Sequence, residues 1–205
     1  MIDGKYIICY CDDIIDHALS SVLFDEYKKD DCDYREVQYV APLGDEDPID
    51  FFRQEEIKNA DVLILDSKLF SDQSSRQRLM GEALRPFLIV DNPFRQIILI
   101  TANGTEEQFG GIRKCASENS PTFAQQKTFY LEYAVPEIDR SLKIYKSLRE
   151  EINKKQLSST IGEERTKVLR DAIDNLPAYS SWNDNQVDSL IREFKKLEEA
   201  IKNHG

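Results

Sequence analysis

Three short runs of nearly continuous apolar residues constrain the fold of this chain most strongly. They span residues 6–11, 62–65 and 97–100, and they consist mainly of isoleucine, leucine, valine, tyrosine and cysteine. Strands that are buried on both faces of a parallel sheet have this pattern, because neither face alternates with solvent. Two weaker strand candidates run from Tyr34 to Val40 and from Thr122 to Gln126. The sequence therefore predicts five strands.

Helical patterns separate these strands. They cover residues 14–27, a segment that begins at Pro48, residues 75–90, residues 105–119 and an amphipathic segment that begins at Pro136. Strands that alternate with helices form right-handed crossover units. We therefore predict the α/β class, with a doubly wound, five-stranded parallel sheet in a domain of residues 1–153.

The remaining residues, 154–205, are predicted to form an all-helical extension of two helices. The first runs from about Gly162 to Leu176, and the second carries an apolar stripe from Val187 to Ile201. Helices this short need a surface to pack against. They can pack on each other, on the first domain or on a partner, and a homodimer through these helices is one such arrangement.

The charge of the chain narrows the classes of partner. The chain has 27 basic and 38 acidic residues and a net charge of −11, which does not favour a nucleic-acid-binding surface. The excess of acidic residues is N-terminal, since the segment from Glu151 onward has 9 basic and 10 acidic residues.

No signal-peptide pattern or membrane-length apolar run occurs, so we expect a soluble, cytoplasmic protein without membrane contact.

Polar residues follow the predicted strands where each strand ends. Asp12 and Asp13 follow the first strand, Asp66 the third, Thr101 the fourth and Lys127 the fifth. Ligands of open parallel sheets bind at the carboxyl ends of the strands. Converging carboxylates suit Mg²⁺, and a hydroxyl with an ammonium group suits an anion such as a phosphoryl group. The alternative for Asp12 and Asp13 is that they cap the helix that follows.

In this order, the residues resemble those of a response-regulator receiver domain, the phosphoacceptor module of two-component signalling. The resemblance covers roughly residues 4–152. It includes Thr101-Ala102 after the fourth strand and an aromatic residue, Phe129, two positions beyond Lys127. It implies a flavodoxin-like sheet and a protein of phosphorelay signal transduction.

The resemblance also implies a role for each residue. Asp66 would be the nucleophile that becomes an aspartyl phosphate. Asp12, Asp13, Asp66 and the backbone carbonyl of Lys68 would bind Mg²⁺. Thr101 would hydrogen-bond the phosphoryl group and Lys127 would pair with it. The implied partners are a sensor histidine kinase or another phosphodonor, and a downstream protein. Enzymatic activity would be limited to self-phosphorylation from a phosphodonor and autodephosphorylation.

Two other functions remain open. A degenerate receiver-like domain would act as a protein-interaction module without phosphotransfer. This alternative is favoured by Thr128, where the family usually has proline, and by Ala124, where it usually has an aromatic residue. A Mg²⁺-dependent phosphohydrolase of another α/β family is the third function. Such enzymes typically have a second catalytic aspartate two residues after the nucleophile, and Lys68 at that position argues against it.

Overall fold

The computed structural model describes most of residues 4–154 and six residues beyond them. The described ranges are 4–29, 31–43, 47–70, 78–89, 92, 94–102, 111–115 and 121–154, followed by residues 185, 188, 189, 192, 196 and 199. Within these ranges the chain forms a parallel sheet that is covered by helices. The predicted α/β class and the five-stranded parallel sheet are confirmed.

Among the described residues, seven strands form two sheets. The large sheet is parallel, in the order β2-β1-β3-β6-β7, and its strands are β1 (Tyr6–Asp12), β2 (Cys32–Gln38), β3 (Val62–Asp66), β6 (Gln96–Thr101) and β7 (Ile112–Arg113). A small antiparallel sheet pairs β4 (Lys68–Phe70) with β5 (Arg78–Met80). It begins two residues after Asp66, so it adjoins the carboxyl edge of the large sheet.

The helices connect these strands and follow β7. They are α1 (His17–Tyr27), a 3₁₀ helix (Pro48–Arg53), α2 (Glu55–Lys58), α3 (Gly81–Leu88), α4 (Phe123–Tyr133) and α5 (Val135–Lys154). The predicted helix over residues 14–27 is confirmed as α1, which begins three residues later than expected. The amphipathic helix expected near Pro136 is confirmed as α5.

Two apolar cores lie on opposite faces of the large sheet. One contains Ile8, Ile64 and Ile98, and packs against α1, α4 and α5. The other contains Ile7, Leu63 and Leu99, and packs against the 3₁₀ helix, α2 and α3. Successive residues of a strand point to opposite faces, so continuous apolar runs were needed to fill both cores.

Three predictions about local structure are wrong. The segment from Thr122 to Gln126 is the start of α4, and Thr122 and Gln125 form a capping box there. The fifth strand is β7, which lies inside the region predicted as a helix over residues 105–119; residues 105–110 and 116–119 of that region are outside the described residues. The helix predicted over residues 75–90 begins only at Gly81, because residues 78–80 form β5.

The predicted helical extension falls almost entirely outside the described residues. The exceptions are six exposed positions of the second predicted helix that have helical backbone: Asn185, Asp188, Ser189, Arg192, Lys196 and Glu199. Among the described residues, no helix combines the length and the apolar character that crossing a membrane requires.

Candidate functional site

Three carboxylates converge at the carboxyl edge of the sheet. β1 and β3 are neighbours with Cys11 opposite Leu65, so the next residues, Asp12 and Asp66, end adjacent strands. Asp12 and Asp66 are buried and Asp13 is partly exposed. One carboxylate oxygen from each of the three lies within 4.8 Å of the others. The predicted convergence of Asp12, Asp13 and Asp66 is confirmed.

The cap of α1 belongs to another residue. Asp16 Oδ1 accepts hydrogen bonds from the backbone N–H groups of Ala18, at 3.0 Å, and Leu19, at 3.1 Å. Asp12 Oδ1 accepts one from the Ile14 N–H, at 3.0 Å, in the loop before the helix. Since Asp16 already satisfies the first N–H groups of α1, the capping alternative does not explain Asp12 and Asp13.

Lys114 supplies the positive charge of the site. Its Nζ lies 2.7 Å from Asp12 Oδ2 and 3.4 Å from Asp66 Oδ1, and its side chain is 18% exposed. It directly follows β7, and its backbone N–H donates to the Thr101 carbonyl at 2.8 Å. One ammonium group therefore partly neutralises two buried carboxylates.

Gly111 allows β7 to come this close to β6. A Cβ atom at this position would lie 2.3 Å from the carbonyl oxygen of Leu99, which is backbone and cannot move aside easily. Only glycine fits such an approach without moving the strand. Gly111 thus helps to place Lys114, three residues later, against Asp12.

Lys127 lies elsewhere, and its predicted placement after a fifth strand is wrong. It is on α4, where its Nζ is 2.9 Å from Asp25 Oδ2 and 3.1 Å from Ser21 Oγ, both on α1. This ion pair links the two helices on the outside of the sheet. The lysine that follows the fifth strand is Lys114.

Thr101 and Lys68 are both at the carboxyl edge. Thr101 ends β6 one residue beyond Ile100, which is opposite Asp66, and its side chain is half-buried. Lys68 starts β4 opposite Met80, and its side chain is exposed. Both residues therefore lie near Asp66 in the chain or in the sheet register, as the sequence predicted.

The environment of Asp66 changes its acidity. Burial raises the pKa of Asp66 to about 6, with a further increase from the Asp12 charge, while Lys114 opposes both effects. Burial also acts to lower the pKa of Lys114, but its hydrogen bond to Asp12 and the charges of Asp66 and Asp12 raise it overall. Lys114 offsets only part of the mutual repulsion of these carboxylates, and a bound cation would relieve the rest.

A hydrogen-bonded network joins this site to α1 and α4. The Tyr10 hydroxyl donates to Asp12 Oδ2 at 2.7 Å and accepts from the Asp16 N–H at 3.2 Å. The Tyr130 hydroxyl donates to Asp16 Oδ2 and accepts from the Cys115 N–H at 3.0 Å. Cys115 follows Lys114 in the chain, and the Lys114 side chain pairs with Asp12, so these contacts form a closed loop. We refer to these six residues as the Tyr10–Tyr130 network.

Both tyrosines of the network remain protonated at neutral pH. Burial, followed by the adjacent Asp12 carboxylate, raises the pKa of Tyr10 far above its ordinary value. Burial and the hydrogen bond to Asp16 raise that of Tyr130. Each hydroxyl therefore keeps its proton and donates a hydrogen bond to a carboxylate.

The sequence interpretation missed Lys114, Asp16 and both tyrosines. β7 has only two residues, too few for a strand pattern, so the lysine after it was not recognised. The usable signals were the Gly110-Gly111 pair before Ile112, which interrupts a helix, and the Thr122-x-x-Gln125 capping box, which places a helix where a strand was expected. No pattern of residue types indicates that Tyr10 and Tyr130 meet Asp16.

Comparisons with known proteins add no family to these observations. No protein-family model matches the sequence. No curated protein matches it either.

Proposed function

We propose that this chain is a receiver-like signalling protein that accepts a phosphoryl group on Asp66, with Mg²⁺ held by Asp12, Asp13 and Asp66. The transfer would switch a protein-interaction surface. The partners that this function requires are a sensor histidine kinase or another phosphodonor, and a downstream protein.

The strand order supports the proposal. Numbered among themselves, the five parallel strands follow the order 2-1-3-4-5, which is that of flavodoxin-like sheets. In such sheets ligands bind at the carboxyl edge, where the order reverses beside the first strand. Asp12 and Asp66 end the first and third strands, so they flank this point.

One observation carries the proposal: three carboxylates, two of them buried, have oxygens within 4.8 Å of one another, and Lys114 lies beside two of them. Hard oxygen ligands of this kind suit Mg²⁺. Asp66 is the member best suited to be the nucleophile, because it contacts Lys114 less closely than Asp12 does. The raised pKa of Asp66 also makes its ionised oxygen more basic.

The proposed reaction is a phosphoryl transfer without redox change. An oxygen of the Asp66 carboxylate forms a bond to phosphorus, and the bond between phosphorus and the leaving oxygen of the donor breaks. The leaving group departs with the bonding electrons. Lys114, rather than Lys127, would neutralise the phosphoryl oxygens, and the Thr101 hydroxyl would donate a hydrogen bond to one of them. When bound, Mg²⁺ would offset the charge that collects on these oxygens.

Intact-mass measurement after incubation with acetyl phosphate tests this function. We expect a phosphoryl adduct that requires Mg²⁺ and is absent from Asp66→Asn. Asp50→Asn is the matched control, because Asp50 is an exposed aspartate that pairs with Arg53 away from the site. An adduct of equal yield on the Asp66→Asn variant would contradict the assignment.

A second candidate is a receiver-like interaction module without phosphotransfer. The observation that favours it is the position of Lys114, which already offsets part of the charge of Asp12 and Asp66 without a bound cation. A well-folded chain that forms no adduct with acetyl phosphate at any Mg²⁺ concentration would favour this alternative.

A further inference from the structure

We propose that Tyr10 and Tyr130 are positioning residues that couple the acidic site to helix α4, so that a cation bound by the carboxylates changes the contact between α4 and α1. This inference rests on the cation site of the proposed function. It adds a route from that site to a helix whose outer face is partly apolar.

The coupling begins at one oxygen atom. Asp12 Oδ2 accepts from both Tyr10 and Lys114, each at 2.7 Å. A cation that takes Asp12 as a ligand competes with the Lys114 ammonium group for this carboxylate, while the Tyr10 hydroxyl keeps its hydrogen bond to it. Hydrogen bonds to ligating carboxylates orient them and adjust their affinity for metal. The Tyr10 hydroxyl therefore sets the orientation of Asp12, and Lys114 is the group that a cation would displace.

The coupling continues along the backbone after Lys114. The next residue, Cys115, donates its N–H to Tyr130 on α4, and Tyr130 in turn holds Asp16, the cap of α1. A shift of Lys114 therefore changes the hydrogen bond between the Cys115 N–H and the Tyr130 hydroxyl. Tyr10 and Tyr130 are both completely buried, so water cannot replace their bonds without movement of the surrounding structure.

Helix α4 has a partly apolar exposed surface, whose position would change with such a shift. Its side chains Phe123, Leu131 and Tyr133 are between 44% and 56% exposed. Its second link to α1 is the ion pair of Lys127 with Asp25, which is at the surface. The Tyr10–Tyr130 network is thus a buried hydrogen-bonded link between the two helices, beside their apolar contacts, and its state affects how firmly α4 is held.

Two phenylalanine substitutions remove only the hydroxyl groups. Tyr10→Phe and Tyr130→Phe keep the rings in the core. The chain offers a control for each, since the hydroxyls of Tyr6, on β1, and Tyr133, on α4, make no hydrogen bond to any residue that the structure describes. Tyr6→Phe and Tyr133→Phe therefore change a tyrosine of the same element outside the network.

The first measurement is Mg²⁺ affinity by calorimetry. Loss of a hydrogen bond to a metal ligand typically weakens affinity by about 10–100-fold. We expect Tyr10→Phe to weaken Mg²⁺ binding by about tenfold and Tyr130→Phe by a smaller factor. The double variant should lose less than the product of the two factors, because residues of one network are not independent. The controls should bind like the unmodified chain.

The second measurement is amide hydrogen exchange by NMR, with and without Mg²⁺. We expect Mg²⁺ to speed the exchange of the Cys115 amide several-fold in the unmodified chain and in Tyr133→Phe. In Tyr130→Phe this amide has lost its acceptor, so its exchange should be fast in both conditions.

The outcomes separate the two proposals. Mg²⁺ binding with no change in Cys115 or α4 exchange, or with multiplicative effects of the two substitutions, would overturn the coupling and leave the cation site intact. A chain that binds no Mg²⁺ would overturn both. Tyr10→Phe or Tyr130→Phe variants that are merely less stable, with unchanged Mg²⁺ affinity, would reduce the network to a structural role.

Discussion

Lys114 and Asp12 form an ion pair of 2.7 Å in which the Asp12 side chain is completely buried. A buried carboxylate without a compensating charge is strongly destabilising, because burial removes its hydration. This pair therefore stabilises a site in which three carboxylates are close together. In the proposed phosphoryl transfer, this pair would also hold the lysine beside the phosphoryl oxygens.

Replacement of Lys114 should affect both stability and phosphorylation. We expect Lys114→Met to lower the free energy of unfolding by about 2–4 kcal/mol, because it leaves buried carboxylates without a counter-charge. It should also slow adduct formation with acetyl phosphate by at least about tenfold, which one charged hydrogen bond of roughly 1.5–3 kcal/mol would account for. Urea unfolding and intact mass measure the two effects.

Lys127→Met is the matched control for that substitution. Its partner Asp25 is 57% exposed, and such surface pairs contribute about 0–1 kcal/mol. We expect almost unchanged phosphorylation. Equal losses in the two variants would contradict the assignment of the site lysine to Lys114.

Asp66 should reduce stability at neutral pH. Its pKa is raised to about 6 in the folded chain, above the ordinary value of 3.8. Between these values the folded state binds more protons than the unfolded state, so stability is lost as pH rises from about 4 to about 6. Asp66→Asn should remove this loss and be more stable than the unmodified chain by about 2–3 kcal/mol above pH 6.

Urea unfolding at several pH values measures this difference. The advantage of Asp66→Asn should shrink as the pH falls from about 6 towards 4, where the native carboxyl is protonated. Asp50→Asn, with an exposed side chain, should show no such trend. A stabilisation of Asp66→Asn that is independent of pH would mean that charge is not its cause.

Mg²⁺ affinity should depend on pH through the same group. A cation requires the ionised carboxylate of Asp66, so protons compete with it at pH values below about 6. We expect the apparent affinity to fall by up to about tenfold per pH unit there, as for displacement of one proton. Calorimetric titrations from pH 5 to pH 8 measure it, and constant affinity across this range would exclude Asp66 as a ligand.

Gly111→Ala should disturb the site through the backbone. Its Cβ would lie 2.3 Å from the Leu99 carbonyl oxygen, so β7 must move away. Overpacking of this kind typically costs about 1–3 kcal/mol, and the shift should also slow phosphorylation of Asp66. Thermal unfolding and intact mass measure the two effects.

Gly4→Ala provides the comparison for Gly111→Ala. Gly4 has a φ of 81° but nothing within 4 Å of an added Cβ, so we expect a loss of about 1–2 kcal/mol from backbone strain alone. Phosphorylation should be unchanged in this variant. If phosphorylation were also unchanged in Gly111→Ala, the function of Lys114 would not depend on the position of β7.

The central strands were predictable because of their burial. β1, β3 and β6 are covered on both faces, and this requires the continuous apolar runs that the sequence shows. Their ends then predicted Asp12, Asp13 and Asp66 at one edge. The three aspartates, which are the acidic half of the site, were thus predictable from the sequence.

The basic half was not predictable in the same way. α4 carries apolar side chains on its exposed side, including Phe123 and Tyr133, so helical periodicity is weak and its first turn resembled a strand. β7 is held by two register pairs with β6 rather than by a long apolar run. Its location depends on tertiary contacts such as the approach of Gly111 to Leu99, which leave little trace in residue order.

The short length of β7 has a consequence for the order in which parts of this protein open. Stability varies across a structure, and segments with few pairing partners open most easily. The lysine of the site follows the shortest strand of the large sheet, whereas its aspartates end long, buried strands. A local opening that detaches β7 would withdraw the positive charge and leave the carboxylates in place. The attraction of the site for free cations in solution would then be greatest in this briefly opened form.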